Sequence, residues 1–159
     1  MGLLKPPASV PFNITRMGYV VLTSSDLDKT RFFYESGLGL EVMFQDENTL
    51  CLRAIEETCH HSLVFEKTNI KGPGKCRRVG YRMQTDDDIK IACDYFSARG
   101  DVVRYVERPF QGLTIEVIDG IGVPVEFCSS MNQSRNRMQD FHTHSGGKLA
   151  FLDHIQIAC

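Results

Sequence analysis

Residues 16–42 read RMGYVVLTSSDLDKTRFFYESGLGLEV and carry, in order, the signals of a strand, a helix and a second strand. The apolar, β-forming run 17–22 predicts the first strand. The Thr-Ser-Ser-Asp stretch behind it is typical of a helix N-cap. Gly37 and Gly39 predict the end of that helix, and 40–44 predicts the next strand. This stretch therefore predicts a β-α-β passage.

Two further strands complete the unit, and the whole pattern then occurs a second time. NTLCLRA (48–54) and HSLVFEKT (61–68) have the composition of strands, with turn residues before the first of them. The segment NIKGPGK supplies a linker with two glycines and a proline. After it, the sequence predicts a strand at 77–85, a helix within 85–100, and strands at 101–108, 112–119 and 123–130.

Two pairs of residues in the first half recur at the same spacing in the second. Gly18-Tyr19 corresponds to Gly80-Tyr81, and Phe33-Tyr34 to Tyr95-Phe96, which gives a period of about 60 residues. We therefore predict an α+β fold made of two βαβββ modules, 14–68 and 76–130, in one domain spanning 14–130. Eight strands should curl around a cleft, and each helix should lie on the outer face of its sheet.

The remaining segments are predicted to lie outside this domain. Residues 1–13 are interpreted as an N-terminal arm, and the polar stretch 131–148 as a connector with one short helix. LAFLDHIQIAC, residues 149–159, has the pattern of a first strand in a third module. We expect this to be the start of a truncated C-terminal domain, and we expect a chain cut after Ser130 to fold without it.

Composition limits the possible partners and the compartment. The chain has 159 residues, a net charge of -2 and no basic run, which argues against nucleic acid as a partner. It also lacks the stretch of roughly 20 apolar residues that spans a membrane. The six cysteines form no CxxC pair and fit no zinc spacing. They are interpreted as reduced thiols, so we predict a cytoplasmic protein.

The paired modules resemble the vicinal oxygen chelate superfamily, which includes glyoxalases and bleomycin resistance proteins. RFFYESGLGLEV is similar to its helix-to-strand passage, and IDGIGVPVEF to its last turn and strand. The usual Asp-Pro of that turn is Asp119-Gly120 here. More closely, DENTLCLRAIEETCHHSLVFEKT and LDHIQIAC resemble type I extradiol ring-cleavage dioxygenases of the catechol 2,3-dioxygenase kind.

This resemblance implies an enzyme that opens catecholic rings with O2, and it assigns this chain to the N-terminal portion. Such enzymes have four modules and hold Fe(II), or alternatively Mn(II), in a 2-His-1-carboxylate triad of their second domain. The first triad histidine, in an LDH context, corresponds to His154. The other two ligands would come from a fourth module, so we expect this chain alone to bind Fe(II) weakly and to be inactive.

Other side chains are weaker candidates for a metal site. In the repeat alignment, Tyr19 and Gly80 or Tyr81 stand where His154 stands, and only Glu126 matches a ligand position. Since one carboxylate cannot hold Fe(II), Glu126 is more simply explained as a salt-bridged strand residue. The histidine pairs and the aspartate run of the sequence have structural explanations as well.

His60 and His61 open a predicted strand and should point to opposite faces, one buried and one solvated. His142 and His144 would share one side of an extended chain, where they could chelate a metal adventitiously. The run 86–88 of three aspartates is most simply explained as charge at a helix start.

A second class of function is a stand-alone binding protein of the glyoxalase and bleomycin resistance kind, with a small-molecule site between the modules. The LDHIQI stretch past Ser130 favours the dioxygenase. We also expect the apolar tail from Phe151 either to stay mobile or to pair with another copy of the chain, because an unpaired strand exposes backbone donors and acceptors; the protein is accordingly expected to form a homo-oligomer.

Overall fold

The computed structural model describes residues 9–118, 120 and 122–153. The first module contains one helical segment and four strands, and the second module repeats that order. A 3₁₀ helix follows the second module. The elements are β1 (Ile14–Ser24), α1 (Leu27–Arg31) continuing as a π-helical turn (Phe32–Gly37), β2 (Glu41–Gln45), β3 (Thr49–Arg53), β4 (Leu63–Lys67), β5 (Cys76–Met83), α2 (Asp86–Ala98), β6 (Val103–Tyr105), β7 (Thr114–Ile118), β8 (Pro124–Cys128) and the 3₁₀ helix (Met138–Thr143).

All eight strands form one mixed sheet in the order β2-β3-β4-β1-β5-β8-β7-β6. The first strands of the two modules meet antiparallel at its centre, where Val20 is opposite Val79. Each first strand also runs parallel to the last strand of its own module, β1 beside β4 and β5 beside β8. This two-fold arrangement confirms the prediction of paired βαβββ modules.

Both helices cover the same outer face of the sheet. Leu27 of α1 and Tyr34 of the π-helical turn pack against a cluster that includes Val20 and Phe65. Ile89 and Ala92 of α2 pack in the same way on the second module. The cluster under α2 also includes Met83, Ile115, Val117 and Phe127. Because side chains alternate along a strand, Tyr19 and Val21 point away from the helices to the inner face.

The sheet curls until its two ends approach each other. Phe44 lies on the edge strand β2, and Phe110 lies in the loop between β6 and β7 near the opposite edge. Their ring centroids are nevertheless only 5.3 Å apart. The inner face therefore lines a cleft, as the repeat predicted.

Two local predictions differ from the structure. The predicted strand 101–108 is reduced to β6, and the chain leaves the sheet before Pro109, which has no N–H for the ladder. Phe110 then adopts a left-handed φ of 66°, so 106–111 forms a loop across the cleft. Residues 149–153 form no strand, and His154 lies outside the described residues.

The N-terminal arm and the connector also contact the modules more closely than expected. Phe12 is buried against Tyr95 and Phe96 of α2. Beyond β8, the chain returns to the first module, where Leu149 and Leu152 pack against the α1 cluster. The described part of these segments therefore contributes to the core of the domain.

Candidate functional site

Glu126 lies at the centre of the cleft. It sits on the inner face of β8, and its side chain is fully buried. Its Oε2 accepts hydrogen bonds from the Tyr19 hydroxyl at 2.5 Å and from Arg78 Nε at 3.1 Å. Its Oε1 accepts one from Arg108 Nε at 2.6 Å. The carboxylate is thus held by donors from both modules and from the loop over the cleft.

The charges continue outward from Glu126 in alternating sign. Arg78 also contacts Glu66 at 2.6 Å on the first-module side. Arg108 also contacts Glu116 at 3.3 Å on the second-module side, where Arg104 approaches the same carboxylate at 2.6 Å. Arg77 also approaches Glu66 at 3.1 Å. Three glutamates and four arginines therefore form one connected network in which every carboxylate has an arginine partner.

The Tyr19 ring occupies the space that a side chain at position 80 would fill. The two residues are cross-strand partners on β1 and β5, and a Cβ atom at position 80 would overlap the Tyr19 ring. Burial and, next to it, the negative charge of Glu126 raise the pKa of Tyr19 well above its usual value. Tyr19 therefore remains a neutral hydrogen-bond donor to the carboxylate.

Replacing Gly80 with alanine should lower the free energy of unfolding by about 1–3 kcal/mol, because the added methyl group displaces the Tyr19 ring from a close-packed site. Urea unfolding of Gly80→Ala measures the loss. Gly37→Ala is the matched control, since no atom lies within 4 Å of its added Cβ. Equal unfolding midpoints for the two variants would contradict this role of Gly80.

The loop 106–111 closes the cleft on one side. The Phe110 ring stacks on the His60 imidazole, with centroids 3.8 Å apart and planes 9° from parallel. Gln111 contacts the Tyr19 hydroxyl at 3.2 Å through its Oε1 and His61 Nε2 at 3.2 Å through its Nε2. Beneath this loop is a cavity of about 150 Å³ with largely apolar walls, which include Val21, Phe44, Cys51 and Val64.

The prediction that His60 and His61 point to opposite faces is wrong. Both residues precede β4 instead of lying in it, and both are buried. Their Nδ1 atoms are 3.0 Å apart, because the loop conformation removes the alternation of a strand. Burial, followed by the nearby His60 and Arg78, lowers the pKa of His61 to about 3. Burial and Arg53 also lower the pKa of His60.

We expect the domain to lose stability on acidification below pH 6.5. An unfolded histidine binds a proton near pH 6.5, whereas folded His61 stays neutral down to about pH 3. The unfolded state therefore binds more protons in this window, and His61 alone should remove about 2 kcal/mol between pH 7.5 and 5. Urea midpoints across this range measure it. A His61→Gln variant that loses as much stability as the wild type over this interval would contradict the assignment.

The cleft does not fit a divalent metal ion. Within residues 9–118, 120 and 122–153, no three His, Cys, Asp or Glu side chains converge to hold one. Glu126, which matched a ligand position, already accepts from two guanidinium groups. A cation beside it would meet their positive charge directly. The salt-bridged alternative for Glu126 is therefore the one that the structure supports.

The other predicted candidates are separate from the cleft network. His142 is exposed within the 3₁₀ helix, and His144 follows that helix, so the extended chelating geometry is not formed. Asp86 and Asp87 lie in the first turn of α2 as expected. Asp88 does more: it closes a capping box with Thr85 and accepts a bond from the backbone N–H of Asn13.

Sequence reasoning missed the partners of Glu126. Arg78 follows another arginine in a strand, and Arg108 and Gln111 belong to a segment predicted in part as strand. The alternation of these polar residues with apolar ones indicated only weakly that they face the cleft. The available clue was Arg78, whose strand position places it on the face opposite Val79, a buried residue on the helix-covered side of the sheet.

Comparison with protein families and curated proteins places the chain among known relatives. The model of the "Glyoxalase/Bleomycin resistance protein/Dioxygenase superfamily" matches residues 16–127. A curated protein, the manganese-dependent 2,3-dihydroxybiphenyl 1,2-dioxygenase of Geobacillus genomosp. 3, is 24% identical over 94 residues. This match covers 59% of the present chain and 29% of the relative.

Solved structures resemble the whole two-module domain. Homoprotocatechuate 2,3-dioxygenase from Arthrobacter globiformis superposes with a TM-score of 0.84 at 32% identity, covering 94% of this chain and 47% of that one. The Brevibacterium fuscum enzyme in complex with 3,4-dihydroxyphenylacetate has a TM-score of 0.82 at 31% identity, with 94% and 47% covered. The chain thus spans less than half the length of these relatives. No helix among the described residues is long and apolar enough to cross a membrane.

Proposed function

Since the chain belongs to the glyoxalase/bleomycin resistance protein/dioxygenase superfamily, we propose that it is part of an extradiol dioxygenase that opens catecholic rings with O2. The observation that carries the proposal is the superposition on homoprotocatechuate 2,3-dioxygenase over 94% of the chain at 32% identity. The two modules would be the N-terminal, structural half of that enzyme. Copies of the enzyme would associate, and it would act in the cytoplasm, where five free thiols in the described chain are stable.

The cleft of this half supports a structural role. At the centre of the cleft, where a metal ion would need its ligands, the chain has Tyr19, two arginines and one glutamate. These side chains are joined to each other by hydrogen bonds. A catalytic Fe(II) or Mn(II) would therefore be bound by the other half, with His154 as its first ligand from the present sequence. Manganese is named for the Geobacillus relative, and imidazole and carboxylate ligands suit either ion.

A chimera tests the proposal. Residues 14–153 would replace the matching half of the Arthrobacter homoprotocatechuate 2,3-dioxygenase, and the chimera would be assayed for ring cleavage of homoprotocatechuate after metal loading. We expect activity to be retained, because the metal and the substrate would lie in the unchanged half. A chimera that folds and binds metal but does not cleave the ring would contradict the proposal.

The 159-residue chain itself supplies the complementary measurement. Loaded anaerobically with Fe(II) or Mn(II) and then given a catechol and O2, it should form no ring-cleavage product at an enzymatic rate. Such product would show that the metal site lies within this sequence and would overturn the structural role of the two modules.

One observation favours the alternative of a small-molecule binding module. The 150 Å³ cavity beneath Phe110 has aromatic and apolar walls between the two modules, which is the composition of small-ligand sites. Equilibrium dialysis of the chain with catechol decides between a binding module and a purely structural half of a dioxygenase. Saturable binding that Phe110→Ala abolishes would favour the binding module over the purely structural half.

A further inference from the structure

Two arginines differ from all the others in the chain. All eleven arginines lie in the described part of the sequence, and nine of them have a carboxylate oxygen within 4.0 Å. Among the described residues, Arg16 and Arg82 have no such partner. Arg16 is exposed, whereas Arg82 is half-buried and its Nε is buried. A charged group without a counter-charge is costly where solvent is restricted, so Arg82 is the position that needs an explanation.

Arg16 and Arg82 are also direct cross-strand neighbours. Arg16 on β1 is opposite Arg82 on β5, at the seam between the two modules. Like charges placed directly opposite each other destabilise a pair of strands. Water screens part of this repulsion at exposed Arg16, and an anion between or beside the two guanidinium groups would relieve the rest.

The two side chains share a pocket of suitable size. It has a volume of about 160 Å³, and its other walls come from Thr15, Thr58, Cys59 and Gln133. This volume admits an ion as large as phosphate. The pocket is separate from the Glu126 cleft, since none of its lining residues lines the cavity beneath Phe110.

Both guanidinium groups keep unused donors. Arg82 donates one hydrogen bond, from Nη2 to the Ser129 carbonyl at 3.0 Å, while its buried Nε has no acceptor among the described residues. Arg16 makes only a 3.4 Å contact to the Met17 carbonyl and a 4.0 Å contact to the Cys59 sulfur. Since each guanidinium carries five N–H groups, most donors of the pair are available to a ligand.

The neighbouring acidic residues do not supply the counter-charge. Glu56 and Glu57 line an adjoining groove together with Arg16, but neither comes within 4.0 Å of it. The Glu57 carboxylate is bound instead to the Ala54 N–H and the Ser62 hydroxyl. Asp153 lines the same groove, and the ion pairs given for the described residues join no carboxylate to Arg16 or Arg82.

We propose that Arg16 and Arg82 form a binding site for an oxyanion, a phosphate or a carboxylate, at the seam between the modules. Paired guanidinium groups offer planar, bidentate recognition of both ion types. One side chain comes from each module, so a bound oxyanion would also connect β1 to β5 through their side chains.

Titration of the full chain with sodium phosphate tests the site. The ¹⁵N-labelled arginine Nε–H resonances would be followed by NMR while sodium chloride holds the ionic strength constant. We expect saturable shifts of the Arg16 and Arg82 signals, with the other arginines unaffected. A parallel titration with sodium acetate shows whether the site accepts carboxylates or only phosphate.

Single arginine substitutions, with one control, identify the residues that bind phosphate. Arg82→Gln and the more exposed Arg16→Gln should each weaken phosphate binding about tenfold, since each removes a charge-assisted contact. Arg99→Gln, which removes an exposed arginine paired with Asp101, should leave the affinity unchanged. The proposal is wrong if phosphate shifts these signals no more than chloride does, or if Arg99→Gln weakens binding as much as either variant. The proposal is also wrong if no anion shifts the Arg16 and Arg82 signals because a carboxylate of the protein already binds the two guanidinium groups.

Discussion

Replacing Glu126 with alanine is expected to lower the free energy of unfolding by about 3–5 kcal/mol, one of the two largest effects that we predict for this domain. The substitution leaves Arg78 and Arg108 facing each other across the cleft and removes the acceptor of the Tyr19 hydroxyl. Breaking a buried charge pair by removing one partner costs this much because the remaining charge stays desolvated. Urea unfolding measured at neutral pH gives the difference.

Glu107→Ala is the control for this experiment. Glu107 precedes Arg108 in the same loop, but it is exposed and forms none of the ion pairs described for the cleft. Its removal changes the net charge equally and should alter stability by less than about 0.5 kcal/mol. If Glu126→Ala costs no more than Glu107→Ala, the network does not hold the two modules together.

Cutting the chain after Ser130 is expected to destabilise the domain by about 3–5 kcal/mol, whereas the sequence by itself predicted only that the two-module domain stays folded without the tail. The cut removes buried Met131, which packs in the inner-face cluster, together with Leu149 and Leu152, which pack against the α1 cluster of the first module. Each apolar side chain of this kind contributes roughly 1.5–3 kcal/mol when fully buried, and less when partly exposed.

The cut also leaves polar groups of the first module without partners. Arg137 pairs with Glu41, and the backbone of 131–153 bonds to the loop after β3 at Ile55 and Glu56. Urea unfolding of residues 1–153 against residues 1–130 compares the two chains directly. A variant of 1–153 with Leu149→Ala and Leu152→Ala isolates the apolar part of the loss. Identical midpoints for 1–153 and 1–130 would mean that the segment contributes nothing.

The elements of this fold were predictable because their signals are local. The Thr85 cap and the acidic first turn of α2 indicate the helix by themselves. The alternation of apolar residues in β1 and its recurrence in β5 indicated two equivalent strands. The presence of two equivalent modules followed from the repeat, and they join through the antiparallel pairing of β1 with β5 in one sheet.

The exact ends of several elements were not predictable from such signals. β6 ends after Tyr105 because Pro109 and the left-handed Phe110 divert the chain across the cleft. The stacking of Phe110 on His60 stabilises that path, and it joins residues 50 positions apart. The same long-range contact keeps the histidine pair buried, which a strand pattern at 61–68 could not indicate.

The amino-acid sequence by itself determined the two-module architecture and the outer position of the helices, because periodicity and capping act over a few residues. The likeness to extradiol dioxygenases rested instead on the resemblance of particular stretches to that family. Only the tertiary structure decided what the inner face contains. Tyr19, Arg78, Arg108 and Glu126 come from three strands and a loop, and they meet because the sheet curls. Their mutual neutralisation, and the uncompensated charge of Arg16 opposite Arg82, depend on strand register, which local sequence signals do not specify.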